Sequence, residues 1–190
     1  MTATRRSATA RESRELLIRA ATELFAEQGF RRTTFADVAG RAGISRGSIP
    51  WHFGNKDGLL QAVIDEAVRS IATREGPEPV GIQAALSDAL EIVRLPSTRL
   101  FITLLAEAVE PGSPIRGHYA QLHAALRDRL GSRIGEIDLP AGMTRDDFLT
   151  VVFGAVIGIN QQWSVAPERV DLDRAFAALS LSAGRTAVPD

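Results

Sequence analysis

Cysteine is absent from the 190-residue chain. That excludes disulfides, thiolate metal sites and cysteine nucleophiles. Lysine is almost absent. Only Lys56 breaks a basic complement of 22 residues that is otherwise arginine. Arginine suits bidentate phosphate and guanine recognition, although the codon bias of a GC-rich genome accounts for the ratio equally well. Long apolar runs are missing too. The longest, Phe148 to Ile159 with Thr150 inside it, has 12 residues, against the roughly 20 that a bilayer needs, so no membrane partner is expected. Met1 to Arg14 is polar and arginine-rich without a hydrophobic segment. No Sec signal is visible there, and a cytoplasmic location is expected. No stretch alternates apolar and polar residues as a strand does, and no internal repeat is visible.

What is present is an ordinary soluble balance, 45% apolar and 24% charged, with room for one domain or two small ones. The net charge of −1 hides a split. Residues 1–60 carry ten basic and six acidic residues, a net of +4, while 61–190 carry twelve and seventeen, a net of −5. The first third is therefore suited to an anionic partner.

The periodicity is helical throughout. Leu17, Ala20, Ala21, Leu24 and Phe25 predict an amphipathic helix over about 11–28, ended by Gly29. Thr34 and Asp37 have the spacing of a capping box opening a second helix over about 35–41. Gly43 breaks the chain, and Ser45 is placed to cap a short helix through about His52. Asn55 is placed to cap a fourth, with Leu59, Leu60, Val63 and Ile64 on its apolar face. Gly76-Pro77-Glu78-Pro79 is the clearest punctuation. Helices are then expected over 82–95, after Pro96, from Ile115 to Leu130, from a second capping box at Thr144 and Asp147 to about Val165, and after Asp171. The expectation is an all-α fold of about nine helices.

The pair of short helices about Ala42-Gly43-Ile44 reads as a helix-turn-helix. Gly43 supplies the positive φ that the turn requires, and Val38, Ala39, Ile44 and Ile49 supply the packing. Ser45-Arg46-Gly47-Ser48 opens the second helix with a cap, a long forked donor, a residue without a side chain and a small hydroxyl. Such a start lets backbone approach a major groove while Arg46 reaches guanine.

The stretch resembles the tetracycline-repressor (TetR) family over about 50 residues. The resemblance rests on Ala20-Ala21, Leu24-Phe25-Ala26-Glu27-Gln28-Gly29-Phe30, Thr33-Thr34, Asp37-Val38-Ala39 and Ala42-Gly43-Ile44-Ser45. Gly47-Ser48-Ile49, His52-Phe53, Asn55-Lys56-Asp57 and Leu59-Leu60 complete the ordered set. It implies a homodimeric, ligand-responsive repressor that binds a double-stranded DNA operator, is not an enzyme and needs no cofactor. Carried onto this sequence, Thr33 and Thr34 fall where the family contacts phosphate. Ser45, Arg46, Gly47 and Ser48 fall at the cap and base-reading positions, Trp51 and His52 near the backbone-contacting aromatics, and Lys56 at the phosphate-contacting lysine. Pro50 departs from the family pattern, which has an aromatic there. Without an N–H it loses the bond to the Arg46 carbonyl, and a kink or 3₁₀ turn is expected.

The implied organisation is a basic flexible arm over 1–10 and a DNA-binding three-helix domain over 11–56, with the helix-turn-helix at 34–53. A connecting helix over 57–75, a ligand-binding and dimerisation domain over 76–185 and a tail over 186–190 follow. Dimerisation is expected through the last two helices, about 145–165 and 172–184, where Gly154 and Gly158 form a small-residue face that suits this interface or close packing within one subunit. A small-molecule pocket is expected among Phe101, Leu105, Glu107, Tyr119, His123, Phe153, Asn160, Gln161 and Trp163, since pockets combine apolar walls with a few polar groups. For each of these, packing in the core is the plainer role.

Two other patterns carry less. Gly43-Ile44-Ser45-Arg46-Gly47 spells a nucleophile elbow, but that turn needs a preceding strand. His52, His118 and His123 lack metal-ligand spacing, and no metal is expected. The rival functions are an activator on the same fold, or a small-molecule-binding protein whose DNA readout Pro50 has impaired.

Overall fold

The structure is a computed structural model that describes residues 2–74 and 81–186. The punctuation at 76–79 and the tail from 187 onward lie outside the described residues. Among the described residues there is no strand. The helices are α1 (Thr2–Gln28), α2 (Phe35–Ala42), α3 (Ser48–Phe53), α4 (Lys56–Thr73), α5 (Ile82–Val93), α6 (Arg99–Ala108), α7 (Arg116–Ile134), α8 (Arg145–Val165) and α9 (Leu172–Thr186), with a 3₁₀ turn at Pro96–Thr98.

Local sequence explains most of these bounds. Thr34 and Thr144 each accept a hydrogen bond from the backbone N–H three residues on, and Asp37 and Asp147 accept one in return from the cap backbone. Asn55 accepts from the Gly58 N–H at 2.8 Å, and Asp171 from the Arg174 N–H at 3.1 Å. All four caps are those the sequence predicts. The N-terminus differs from expectation. From Thr2 onward, the segment expected as an arm over 1–10 is helical backbone continuous with α1. Neither glycine nor proline interrupts Thr2 to Gln28, and alanine, arginine and glutamate favour helix, so nothing in the chain stops α1 earlier.

The chain divides into two compact units, and the division does not follow chain order. One unit contains residues 1–70 with 97–122. Its core joins Leu17, Ala21, Leu24 and Phe25 of α1 to Val38 and Ala39 of α2, Ile49 of α3, and Leu59, Leu60 and Ile64 of α4, all buried. Phe25 and Phe30 meet edge to face at 5.3 Å. α6 packs on α1 in the same unit, burying Leu100 and Leu104, and the Thr103 hydroxyl donates to the Ala26 carbonyl at 3.2 Å. The expected boundary near 76 therefore does not separate α6 from the helix-turn-helix.

The other unit contains residues 71–96 and 123 onward. Leu86, Leu130, Ile134, Phe148, Val152, Phe153 and Phe176 form its core, drawn from α5, α7, α8 and α9. α8 is 21 residues long, and by length and composition alone could cross a membrane, which the 12-residue run did not suggest. Its apolarity has a simpler cause: Phe148, Leu149, Val152, Phe153 and Val156 face this core.

Arg129 is the most deeply enclosed cation described. Its guanidinium is bidentate to Asp88 (2.7 and 2.8 Å) and also donates to the Ile71 and Arg74 carbonyls (2.6 and 3.2 Å). Only 8% of the Arg129 side chain and 12% of Asp88 are exposed. The pair thereby fastens the last turn of α4 to α5 and α7. A charge left buried without its partner is costly, whereas exchanging both partners for apolar groups is often nearly neutral. Arg129→Met is thus expected to lower unfolding free energy by about 3–5 kcal/mol in urea titrations, and Asp88→Leu/Arg129→Met by much less. Equal losses in the two proteins would contradict this account of the pair.

Candidate nucleic-acid interface

The interface is built on α2, α3 and the two turns that flank them. α2 ends at Gly43, whose φ of +66° places it in the left-handed region. That conformation lets the Ile44 N–H reach the Ala39 carbonyl at 3.0 Å. No neighbouring atom lies within 4 Å of where a Gly43 side chain would begin, so the glycine is required for its backbone alone. The far end of α2 is tied to α1 by Arg41, whose guanidinium bonds Glu27 twice (3.0 and 2.9 Å) and Glu23 once (3.1 Å).

The recognition helix begins later than expected. The sequence predicts it from Ser45, but α3 opens at Ser48 with Gly47 as its cap and no side-chain capping bond. Ser45 and Arg46 lie in the turn before it, where their carbonyls accept from Ser48 N–H (2.9 Å) and Ile49 N–H (3.2 Å). Pro50 explains the shift. In a helix starting at Ser45 its ring would meet the interior; in one starting at Ser48 it falls in the first turn, where an N–H has no partner anyway. The kink is absent, but the expected 3₁₀ character is present: the bonds to the Ser45 and Arg46 carbonyls both span three residues, and the Pro50 carbonyl accepts from the Gly54 N–H at 2.8 Å. Ile49 is fully buried and anchors α3 on the unit's core.

The sequence-selected residues divide by exposure. Arg46, Gly47 and Ser45 are exposed and Ser48 is half-buried, all on the turn and first residue of α3. Among the described residues Arg46 has no carboxylate partner. Trp51 is 73% exposed, unusual for so large a ring. It meets His52 edge-on at 4.5 Å. Burial, and then the Arg14 charge, hold the His52 imidazole below its usual pKa, so it offers this surface a neutral ring at neutral pH. Arg14 itself lies over the Phe53 ring, 5.4 Å from its centre, and bridges α1 to the end of α3.

Thr34 is exposed at the α2 cap. Thr33, expected beside it as a phosphate contact, is instead buried. Its hydroxyl donates to the Gly29 carbonyl at 2.8 Å and approaches the Leu24 carbonyl at 3.4 Å. The end of α1 has carbonyls in need of donors, and Thr33 meets that need. Lys56 donates to the Arg31 carbonyl at 3.1 Å and lies over Phe30, 4.5 Å from the ring centre. Desolvation lowers its pKa, against the pull of Glu107, Asp57 and Asp37.

The residues expected to form a ligand pocket fall in both units. Phe101, Leu105, Glu107 and Tyr119 belong to the first, and His123, Phe153, Asn160, Gln161 and Trp163 to the second. Within the second unit His123 and Phe153 meet edge to face at 4.8 Å, Asn160 is buried, and Gln161 is exposed. Glu107 contacts the α1–α2 turn rather than an apolar wall: it accepts from the Arg31 N–H at 3.3 Å. Sequence reading missed an open groove of about 910 Å³ between α5 and α9, lined by Ile82, Leu86, Leu90, Phe176 and Leu181 with Ser87 and Ser180. None of the nine expected pocket residues lines it. Among the described residues no cluster of His, Asp and Glu is placed to hold a metal.

Gly58 is the residue of the interface that sequence reading passed over. A side chain there would begin 2.0 Å from the Phe53 carbonyl oxygen, so the α3–α4 corner closes only over a glycine. Gly40, within α2, has nothing within 4 Å. Gly40→Ala is expected to raise stability by about 0.5–1 kcal/mol from the lost backbone freedom of glycine, and Gly58→Ala to lower it. Thermal unfolding of the two variants checks the opposite signs.

Residues 17–63 match the family model described as bacterial regulatory proteins, tetR family. The chain is 33% identical over 166 residues to the transcriptional regulator SrpR of Pseudomonas putida, covering 80% of this chain and 76% of that protein. It is 29% identical over 179 residues to the regulator TtgR, also of Pseudomonas putida, covering 86% and 85%. Its fold matches that of SmeT in complex with triclosan, with a TM-score of 0.70 at 21% identity over 94% of this chain and 93% of that one.

Proposed function

This chain belongs to the TetR family of helix-turn-helix transcriptional regulators, and on that premise we propose that it is a cytoplasmic repressor of a pseudo-palindromic operator, released by a small molecule. Proteins of the family bind DNA operators and small-molecule effectors, act as dimers and are not enzymes. The observation that carries the reading is the exposed start of α3. Arg46, Gly47, Ser48 and Trp51 project from a segment of net charge +4, while Ile49 is fixed beneath them. In this reading Arg46 reads a base edge, Gly47 lets the backbone approach, and Trp51 takes the backbone contact that Pro50 cannot make. Thr34 and Lys56 hold phosphates.

Pairing through α8 and α9 is supported by a face that this subunit leaves open. Val151 is 68% exposed and Val165 82% on α8. Gly154 and Gly158 on α8 have nothing within 4 Å of their missing side chains, so they serve no close approach inside the subunit and leave room for one from a second copy. Two recognition helices in such a dimer read half-sites about one helical turn, or a multiple of it, apart. For the effector, an apolar molecule with a polar group suits both His123 with Phe153 and Asn160 and the α5–α9 groove. SmeT, which shares the fold, was solved with triclosan. A coupling of about 1–3 kcal/mol between ligand and DNA suffices to release the operator.

Selection from random duplexes at two salt concentrations tests the reading, and an inverted repeat is the expected result. On the selected site Arg46→Ala is expected to cost about 1–3 kcal/mol and relax one base pair per half-site, while Lys56→Ala weakens all sequences alike and lowers the salt slope by about one. Salt-sensitive binding without a motif contradicts the proposal.

A further inference from the structure

We infer that Glu107, carried by α6, is a positioning residue for operator binding: its carboxylate sets the α1–α2 turn, which ends at Thr34 and which Lys56 of α4 bonds at the Arg31 carbonyl, and so places both residues for the DNA backbone. The inference rests on the operator-binding reading above and concerns a single unit of the chain.

The turn from Gly29 to Thr34 is held at three points. Thr33 closes it onto the end of α1. Lys56 holds the Arg31 carbonyl. Glu107 Oε1 accepts from the Arg31 N–H on the other side of the same residue. Glu107 Oε2 also lies 4.0 Å from Arg31 Nε. The Glu107 side chain is 15% exposed, and its carboxylate can come this close because Gly29 lacks a side chain. A Cβ on Gly29 would lie 2.9 Å from Glu107 Oε1. Gly29 thus leaves room for this approach, and its φ of +86° is what calls for glycine. Glu110, one turn on, pairs with the Arg31 guanidinium and makes no bond to the turn's backbone. The two carboxylates share a charge and a neighbour but differ in the one contact that fixes backbone geometry.

That difference gives the experiment its sign. Two carboxylates beside a surface that receives phosphates repel DNA, so removing either one on electrostatic grounds alone tightens binding. Removing a backbone-fixing acceptor weakens it. Operator affinity is measured by fluorescence anisotropy on the selected duplex for the full-length wild type and for Glu107→Ala, Glu107→Asp, Glu107→Gln and Glu110→Ala. Thermal unfolding records that each variant is folded at the assay temperature. Glu107→Ala is expected to bind roughly tenfold more weakly, a loss typical of one hydrogen bond to a charged group. Glu107→Asp keeps the charge, falls short of the Arg31 N–H and is expected to lose a similar factor; it carries the test if the alanine variant does not fold. Glu107→Gln retains the acceptor and is expected within about twofold of the wild type. Glu110→Ala is expected to bind at least as tightly as the wild type.

Unchanged or tighter binding by Glu107→Ala and Glu107→Asp overturns the inference, as does equal weakening by Glu107→Gln and Glu107→Ala. A wild type with no sequence preference removes the operator-binding reading and this inference together. A wild type that selects a site while the Glu107 variants match it removes this inference alone.

Discussion

A helix of six residues cannot hold itself together in water. Nucleation costs more than so few backbone bonds return, and isolated helices shorter than about 12–15 residues are marginal. α3 has six residues, no side-chain cap and a proline inside it. Its position depends on burial of Ile49 against the α1, α2 and α4 core and on two corners closed over glycine, Gly43 before it and Gly58 after it. Every proposed contact from α3 and the turn before it inherits its geometry from that burial. The exposed residues of α3 are free to vary with operator sequence because they carry none of the packing. The buried one is not.

Much of this was legible in the sequence where the determinants are local. The caps at Thr34, Asn55, Thr144 and Asp171 pair residues three apart, so spacing alone reveals them. The apolar face of α1 and the stop at Gly29 follow from periodicity and backbone freedom. The +4 charge of the first 60 residues marks the segment that carries the helix-turn-helix. The start of α3 was misplaced because Ser45 is a good cap in isolation. The fit of Pro50 to a first turn outweighed it.

What sequence did not reveal depends on contacts between distant parts of the chain. Thr33 turns inward because the carbonyls ending α1 need a donor, which two adjacent threonines do not disclose. Glu107 lies 76 residues from its partner Arg31, and sequence alone assigned it to a ligand pocket instead. The α5–α9 groove has the same origin, as it is lined by residues from helices far apart in the chain. Arg129 is similar: nothing in its helix distinguishes it from Arg127 or Arg133, yet it alone is enclosed with Asp88 and the last turn of α4. Buried polar groups are satisfied by whichever segment the fold brings near, and the identity of that segment is not written beside them.

Amide hydrogen exchange in the free protein tests the dependence of α3 on its buried anchor most directly. The N–H groups of His52, Phe53 and Gly54 close the bonds of α3. If Ile49 holds the helix as described, they exchange slowly in the wild type, with protection approaching that of Val38 and Ala39, and the Ile49→Ala substitution removes it while α1 amides stay protected. Exchange of the three amides at unfolded-chain rates in the wild type contradicts the account, because α3 would then be formed only on DNA.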